Sequence, residues 1–339
     1  LHIHTDHIII KPHNGLFLNS IYVIYQIPNI CAKLNQYNEL SSRRDQMSFV
    51  HLHTHTEYSL LDGSNKIKDY VKRVKELGQT AAAITDHGVM YGVVDFYEAA
   101  KAEGIKPILG CEVYVAPGSR FDKELSGGDE RYNHLILLAE SDTGYYNLVK
   151  IVSKGFTEGF YYKPRVDHEV LEKYHEGLIC LSACLAGEVP RLIEKKMIDE
   201  AEKTVLWFKE TFGADNYFLE LQDHGIPMQQ VVNAELIRIS RKYDIPLVAT
   251  NDCHYTLASD ADAHDVLLCI QTAAKLSDDN RMRYEGGQFY VKSEEEMRTL
   301  FPYALEAIEN TQKIADRCHA KIHYSKPQLP KYEIPEDFD

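Results

Sequence analysis

The feature that most limits what this chain can fold into is a strand-then-helix alternation that begins near residue 47 and runs to about residue 317. Short apolar, β-favouring runs open at residue 49 and recur at 80–85, 106–115, 133–139, 177–184, 216–222 and 246–252. Helical periodicity predicts helices over 65–77, 93–102, 144–152, 198–212, 228–243, 260–272, 293–300 and 302–317. Repeated units of this kind imply a largely parallel sheet with helices outside it. Seven strands of that type predict an α/β barrel, TIM-like, with its chemistry at the C-terminal mouth of the strands. An open doubly wound sheet is the rival, but no glycine-rich phosphate loop follows the first strand.

Residues 1–46 read differently. They are rich in Ile, Asn and Tyr, hold a single Ala and a single Gly, and show no sustained period. They are expected to be a disordered or artefactual extension, with the domain over 47–323 and the start of a Pro- and charge-rich linker at 324–339. The net charge of −14 argues against a protein that grips nucleic acid by broad surface electrostatics. Seven scattered cysteines do not form a secreted disulfide framework, so reduced thiols and a cytoplasmic location are expected. No run is long and apolar enough to predict a membrane span or a signal peptide.

Within 49–63, FVHLHTHTEYSLLDG, the residues His51, His53 and His55 are spaced by two, which puts them on one face of an extended strand, and Asp62 follows beyond a turn. Similar groups stand near other strand ends: Asp86-His87, Glu112, Cys184, Gln222-Asp223-His224, and Asp252 with His254. Glu112 inside an apolar strand requires a partner or a cation. Imidazole, carboxylate and thiolate are what zinc, manganese and related divalent ions accept. His134 fits least well, because it begins its predicted strand. Cys253 points away from Asp252 and His254 and reads as packing. So many ligand groups exceed the needs of one ion and predict two or three, an arrangement suited to phosphate ester hydrolysis.

Taken in order, HLHTHTEYSLLDG, TDHG, GCEVY, NHLILLA, GFYYKPRVD, LSAC, LELQDHG and TNDCHY resemble the PHP (polymerase and histidinol phosphatase) domain. The likeness is greatest to the form found at the N-terminus of bacterial DNA polymerase III alpha subunits, and it covers the chain from Met47 onward. It implies a distorted (β/α)7 barrel, the PHP fold, around a trinuclear centre of Zn2+, Mn2+, Mg2+ or Fe2+. The family's ligands fall on His53, His55, Asp62, His87, Glu112, His134, Cys184, Asp252 and His254, with His55, Asp62, His87 and Asp252 in the expected catalytic set. Many PHP phosphatases have Asp where this chain has His51, so His51 stands as a further ligand or supporting group. Lys163 and Arg165 are expected as phosphate contacts at the mouth, Tyr58 as a stacking surface for a terminal base, and His224 as a supporting or substrate-contacting group.

The resemblance implies a metal-dependent phosphoesterase, a 3′–5′ exonuclease acting on the primer 3′ end in DNA replication and proofreading. The polymerase palm, and with it a polymerase active site, is not expected here. Implied partners are DNA, the remainder of the alpha subunit, and through it the sliding clamp and a separate proofreading subunit. A non-catalytic, metal-stapled docking domain is the alternative, and a free-standing phosphatase of the histidinol phosphatase type is a weaker one.

Overall fold

The structure, a computed structural model, describes residues 49–124 and 131–325. The chain divides into two units, Leu1–Met47 and Ser48–Asp339. The expectations for residues 1–46 and for nearly all of 324–339 fall outside the described residues. The strands are β1 (Ala81–Ile84), β2 (Lys106–Val115), β3 (Asn133–Ala139), β4 (Phe160–Tyr161), β5 (Lys163–Val166), β6 (Leu178–Leu181), β7 (Tyr217–Leu221) and β8 (Leu247–Ala249). The α-helices are α1 (Ile67–Glu76), α2 (Val93–Glu103), α3 (Asp142–Thr157), α4 (His168–Tyr174), α5 (Glu188–Glu194), α6 (Ile198–Phe212), α7 (Pro227–Tyr243), α8 (Ala261–Thr272), α9 (Glu294–Leu300) and α10 (Leu305–Arg317). The short α4 and α5 and the β4–β5 hairpin were not among the expected elements.

The strands form one curled mixed sheet in which β2 pairs with β1 and β5 in parallel and with β3 antiparallel. The order continues through β6, β7 and β8. Residues 49–55 carry the ring onward. Ala83 N–H donates to His51 O (2.9 Å) on one side, and His55 N–H donates to Cys253 O (2.8 Å) on the other. A distorted, TIM-like α/β barrel results. The expectation of a largely parallel sheet needs one correction: β3 runs antiparallel to both β2 and β6. Its N-terminal end therefore lies at the mouth where its neighbours end.

The first strand needs a second correction. Ala83 N–H bonds to His51 O, and Thr85 N–H to Thr54 O, so three steps on one segment span two on the other. That is a β-bulge, and the extra residue reverses the side-chain alternation beyond it. Val50 and Leu52 point into the barrel, as does His53. His51 instead lies on the outer side, its Nε2–H donating to Lys292 O (2.9 Å) and its Nδ1 facing Cys253 Sγ (3.3 Å).

Inside the barrel the inward positions run from apolar to polar along each strand. Val248 leads to Thr250 and Asp252, Phe218 to Glu220 and Gln222, and Ile108 to Glu112, while Ile136 precedes His134 when β3 is followed toward its start. Ile314, Ala315 and Cys318, from α10 and just beyond it, close the apolar end. Outward residues pack on the surrounding helices, with Ile67, Tyr70, Val71 and Val74 as the buried stripe of α1. The polar residues are thus gathered at one end of a closed apolar tube.

Candidate metal centre

At that end, eight of the expected ligands converge through direct contacts, and Cys184 Sγ lies beside them, 3.8 Å from His134 Nδ1. His53 Nε2 and His55 Nε2 are 3.1 Å apart, and each is within 3.1 Å of Asp252 Oδ1. Glu112 bridges the cluster. Its Oε1 lies 2.7 Å from His134 Nδ1 and 3.6 Å from His53 Nε2, and its Oε2 lies 3.5 Å from His55 Nε2 and in contact with His87 Nδ1. His87 Nε2 is 3.0 Å from Asp62 Oδ2, and His254 Nε2 is 3.8 Å from Asp62 Oδ1. Three groups have ligand atoms close enough to share an ion: His55, His87 and His254; His53, His55 and Glu112; and His87, Glu112 and His134. The antiparallel β3 is why His134 belongs here although it begins its strand.

The donor chemistry fits divalent ions. Glu112 Oε1 and Oε2, Asp252 Oδ1, Asp62 Oδ1 and both ring nitrogens of His87 are buried without a hydrogen bond, although atoms of opposite character lie close by. Lone pairs therefore converge on shared space, a costly arrangement for buried groups unless a cation takes them up. The imidazoles are also oriented for this. His53 Nδ1–H donates to Glu220 Oε1 (2.7 Å), His55 Nδ1–H to Ser59 Oγ (3.2 Å), and His254 Nδ1–H to Asp252 O (2.8 Å). Each bond fixes the tautomer that turns the Nε2 lone pair toward the pocket. Ser59 O–H in turn donates to Asp86 Oδ1 (2.8 Å), which also accepts from Thr56 N–H (2.6 Å). Asp252 itself holds a left-handed backbone, φ 43°, an uncommon state for a non-glycine residue.

Burial and charge set the ionisation of the cluster. Burial alone would lower His87, but the Glu112 and Asp62 carboxylates outweigh it and raise the imidazolium to about 10. Burial also opposes charge on His53, yet Asp252 and Glu220 lift it well above its ordinary value. His55 goes the other way, to about 3, through burial and repulsion from His87 and His254. Burial pushes the Cys184 thiol up, and the Asp252 and Glu112 carboxylates add to that. The imidazoles around Asp252 and Asp62 hold both carboxyls well below the usual range despite their burial.

Other expected site residues have different settings. His224 is buried with both ring nitrogens taken: Nε2–H donates to Asn251 O (3.0 Å), Nδ1 accepts from Gln229 Nε2 (2.8 Å), and the ring stacks on Phe289 at 3.8 Å. It supports the backbone beside Asp252. Arg165 is also buried, donating to the carbonyls of Gly159 (3.3 Å), Arg131 (3.3 Å), Arg120 (3.4 Å) and Asp122 (2.5 Å). Its guanidinium is occupied in holding loops, unlike the phosphate contact expected of it. Tyr58 donates to Asp95 Oδ2 (2.6 Å), and Lys163 Nζ lies 5.5 Å from the centre of the Tyr114 ring.

Sequence reasoning missed Glu220, Ser59, His264 and Tyr284. Glu220 carried the same signal as Glu112, an acid within an apolar strand. His264 sits on the buried side of α8 and donates to Asp62 O (2.8 Å), and Tyr284 O–H donates to His254 Nε2 (3.2 Å). Nothing in the sequence linked these last two to residues 62 and 254.

An α/β barrel whose polar end collects histidines and carboxylates around shared space defines a class of domains built to hold metal ions at the strand ends. The PHP domain family model matches residues 51–224. This chain belongs to the PHP domain family. It is 50% identical over 293 residues to the DNA polymerase III subunit alpha of Treponema pallidum, covering 86% of this chain and 25% of that one. The corresponding Borreliella burgdorferi protein is 49% identical over 292 residues, with the same coverage. The chain thus spans about a quarter of the length of these relatives and is homologous to the N-terminal region of such subunits. Among solved structures, an amidohydrolase from Chromobacterium violaceum gives a TM-score of 0.41 at 14% identity, covering 61% of this chain and 88% of that one.

Proposed function

We propose that this chain is the PHP portion of a DNA polymerase III alpha subunit, and that its centre hydrolyses phosphodiesters as a 3′–5′ exonuclease on the primer end. The observation that carries the reading is Glu112, a fully buried carboxylate with both oxygens free of hydrogen bonds and within 3.6 Å of imidazole nitrogens. Two or three divalent ions, zinc, manganese, magnesium or iron(II), would supply an activated water at neutral pH and neutralise charge on phosphate oxygens. His53, His55, Asp62, His87, Glu112, His134, Cys184, Asp252 and His254 would hold them. Glu220 and the Ser59–Asp86 pair keep His53 and His55 in the ligating tautomer, and the apolar barrel beneath excludes bulk water. In this reading the chain works in the cytoplasm alongside the rest of the alpha subunit, the sliding clamp and a separate proofreading subunit. No helix among the described residues is long and apolar enough to cross a membrane.

The purified chain, supplied with manganese or zinc, is expected to release mononucleotides from the 3′ end of a 5′-labelled oligonucleotide. Asp252→Asn and His55→Ala are expected to abolish release. A chain whose melting temperature falls with chelator, but which releases nothing at any metal concentration, would favour the metal-stapled docking role instead.

A further inference from the structure

Tyr162 stands at the turn of the β4–β5 hairpin with φ 62°, a left-handed backbone that a bulky non-glycine residue rarely adopts. The residue is 61% exposed. The Arg131 guanidinium lies over it at 4.0 Å, and Tyr161 meets it edge-on at 4.7 Å. Arg165 fastens this arrangement from beneath, bonding Arg131 O and lying 5.0 Å from the Tyr161 ring.

Side-chain contacts connect the residue after this turn to the metal centre by way of the buried Tyr114 ring. The next residue, Lys163, places its ammonium 5.5 Å from the Tyr114 ring centre. Tyr114 in turn lies 5.3 Å from the His134 ring and 6.3 Å from the His87 ring, with Tyr132 4.6 Å to its side. Gly88, beside His87, has φ 64°, and a Cβ there would lie 2.7 Å from Tyr114 and 3.0 Å from Pro164. The hairpin is therefore packed directly on the turn that carries a ligand. An exposed aromatic ring flanked by a guanidinium and an ammonium, on a hairpin packed against a ligand-bearing turn, matches the requirements of a single strand, whose bases stack and whose phosphates need counter-charge.

We infer that Tyr162, Arg131 and Lys163 form a guide for single-stranded DNA. Tyr162 stacks a base upstream of the terminus, and Arg131 and Lys163 take the phosphates that lead the 3′ end toward His134 and His87. The identity of the strand rests on the exonuclease reading above. The strained turn holds the ring in solvent, where it can meet a base.

The test is fluorescence anisotropy of a 5′-fluorescein oligothymidylate with the full chain in excess chelator, so that binding is read without hydrolysis. Tyr162→Gly is expected to weaken binding by roughly tenfold or more. It is also expected to leave the melting temperature equal or higher, because glycine relieves the left-handed strain. Tyr162→Phe keeps the ring and is expected to bind as wild type does. An oligonucleotide with abasic sites in its 3′ half is expected to bind wild type no better than Tyr162→Gly. Equal affinity of wild type and Tyr162→Gly overturns the inference, as does undetectable binding by wild type. A chain that binds in this Tyr162-dependent way yet releases no nucleotides with metal sinks the exonuclease reading alone. Release at equal rates by wild type and Tyr162→Gly under limiting substrate sinks the guide alone.

Discussion

The Nδ1 of His53 and the Oε1 of Glu220 lie 2.7 Å apart, both side chains fully buried, although 167 residues separate them in sequence. Thr250 Oγ1 and Gln222 Nε2 donate to the same Glu220 oxygen, so the carboxylate is held in place. Replacing it leaves His53 free to choose the wrong tautomer. Glu220→Gln is expected to weaken metal binding by about 10- to 100-fold, as losses behind metal-bound histidines do. Chelator competition would measure this, and unchanged affinity would rule out the role.

Metal removal should be visible in stability. Asp62, Glu112 and Asp252 are buried together, with Asp62 Oδ1, Asp252 Oδ1 and both Glu112 oxygens left without a hydrogen bond. A cation would take up groups that are otherwise costly to bury. Ion binding at about 100 times Kd would stabilise the fold by about 2.7 kcal/mol per site. Calorimetry with and without chelator should show a lower melting temperature in chelator. An unchanged value would mean that the pocket takes no ion.

His87 makes the metal-free protein pH-sensitive. Its folded value of about 10 lies above its ordinary 6.5. The stability it contributes is fully present below about pH 6.5 and is lost as pH rises toward 10. Melting of the chelated chain should therefore decline over that interval, and ion binding near pH 8 should displace the His87 proton. Calorimetric titration in buffers of different ionisation enthalpy reads that proton directly. No buffer dependence would refute the protonated state.

Arg165 distinguishes a loop clamp from a phosphate contact. Its guanidinium serves four carbonyls in a planar array that an ammonium does not reproduce. Arg165→Lys should cost about 1–3 kcal/mol in urea unfolding, the range for buried acceptors left unpaired. A variant of undiminished stability that had lost phosphodiesterase activity would restore the phosphate role.

Much of the site was legible early because its chemistry contradicts its setting. Glu112 is an acid in an apolar strand, and Asp252 and His254 share a spacing of two at a strand exit. The same test applied to Glu220 would have found it. His264 and Tyr284 were beyond reach, since α8 and the segment following it are placed against Asp62 and His254 by packing alone.

The sequence by itself determined the long strands and helices and most of the ligating side chains that the strand ends carry, because periodicity and side-chain chemistry are local properties. The short helices α4 and α5 and the β4–β5 hairpin carry too few residues to show a period. Only the tertiary structure decided that β3 runs backward, which delivers His134, and that a bulge between His51 and Thr54 turns His51 out while His53 points in. Both depend on pairing between segments tens of residues apart. An apolar run pairs equally well in either direction until its neighbours are fixed, and a bulge exists only as a mismatch in count between two strands.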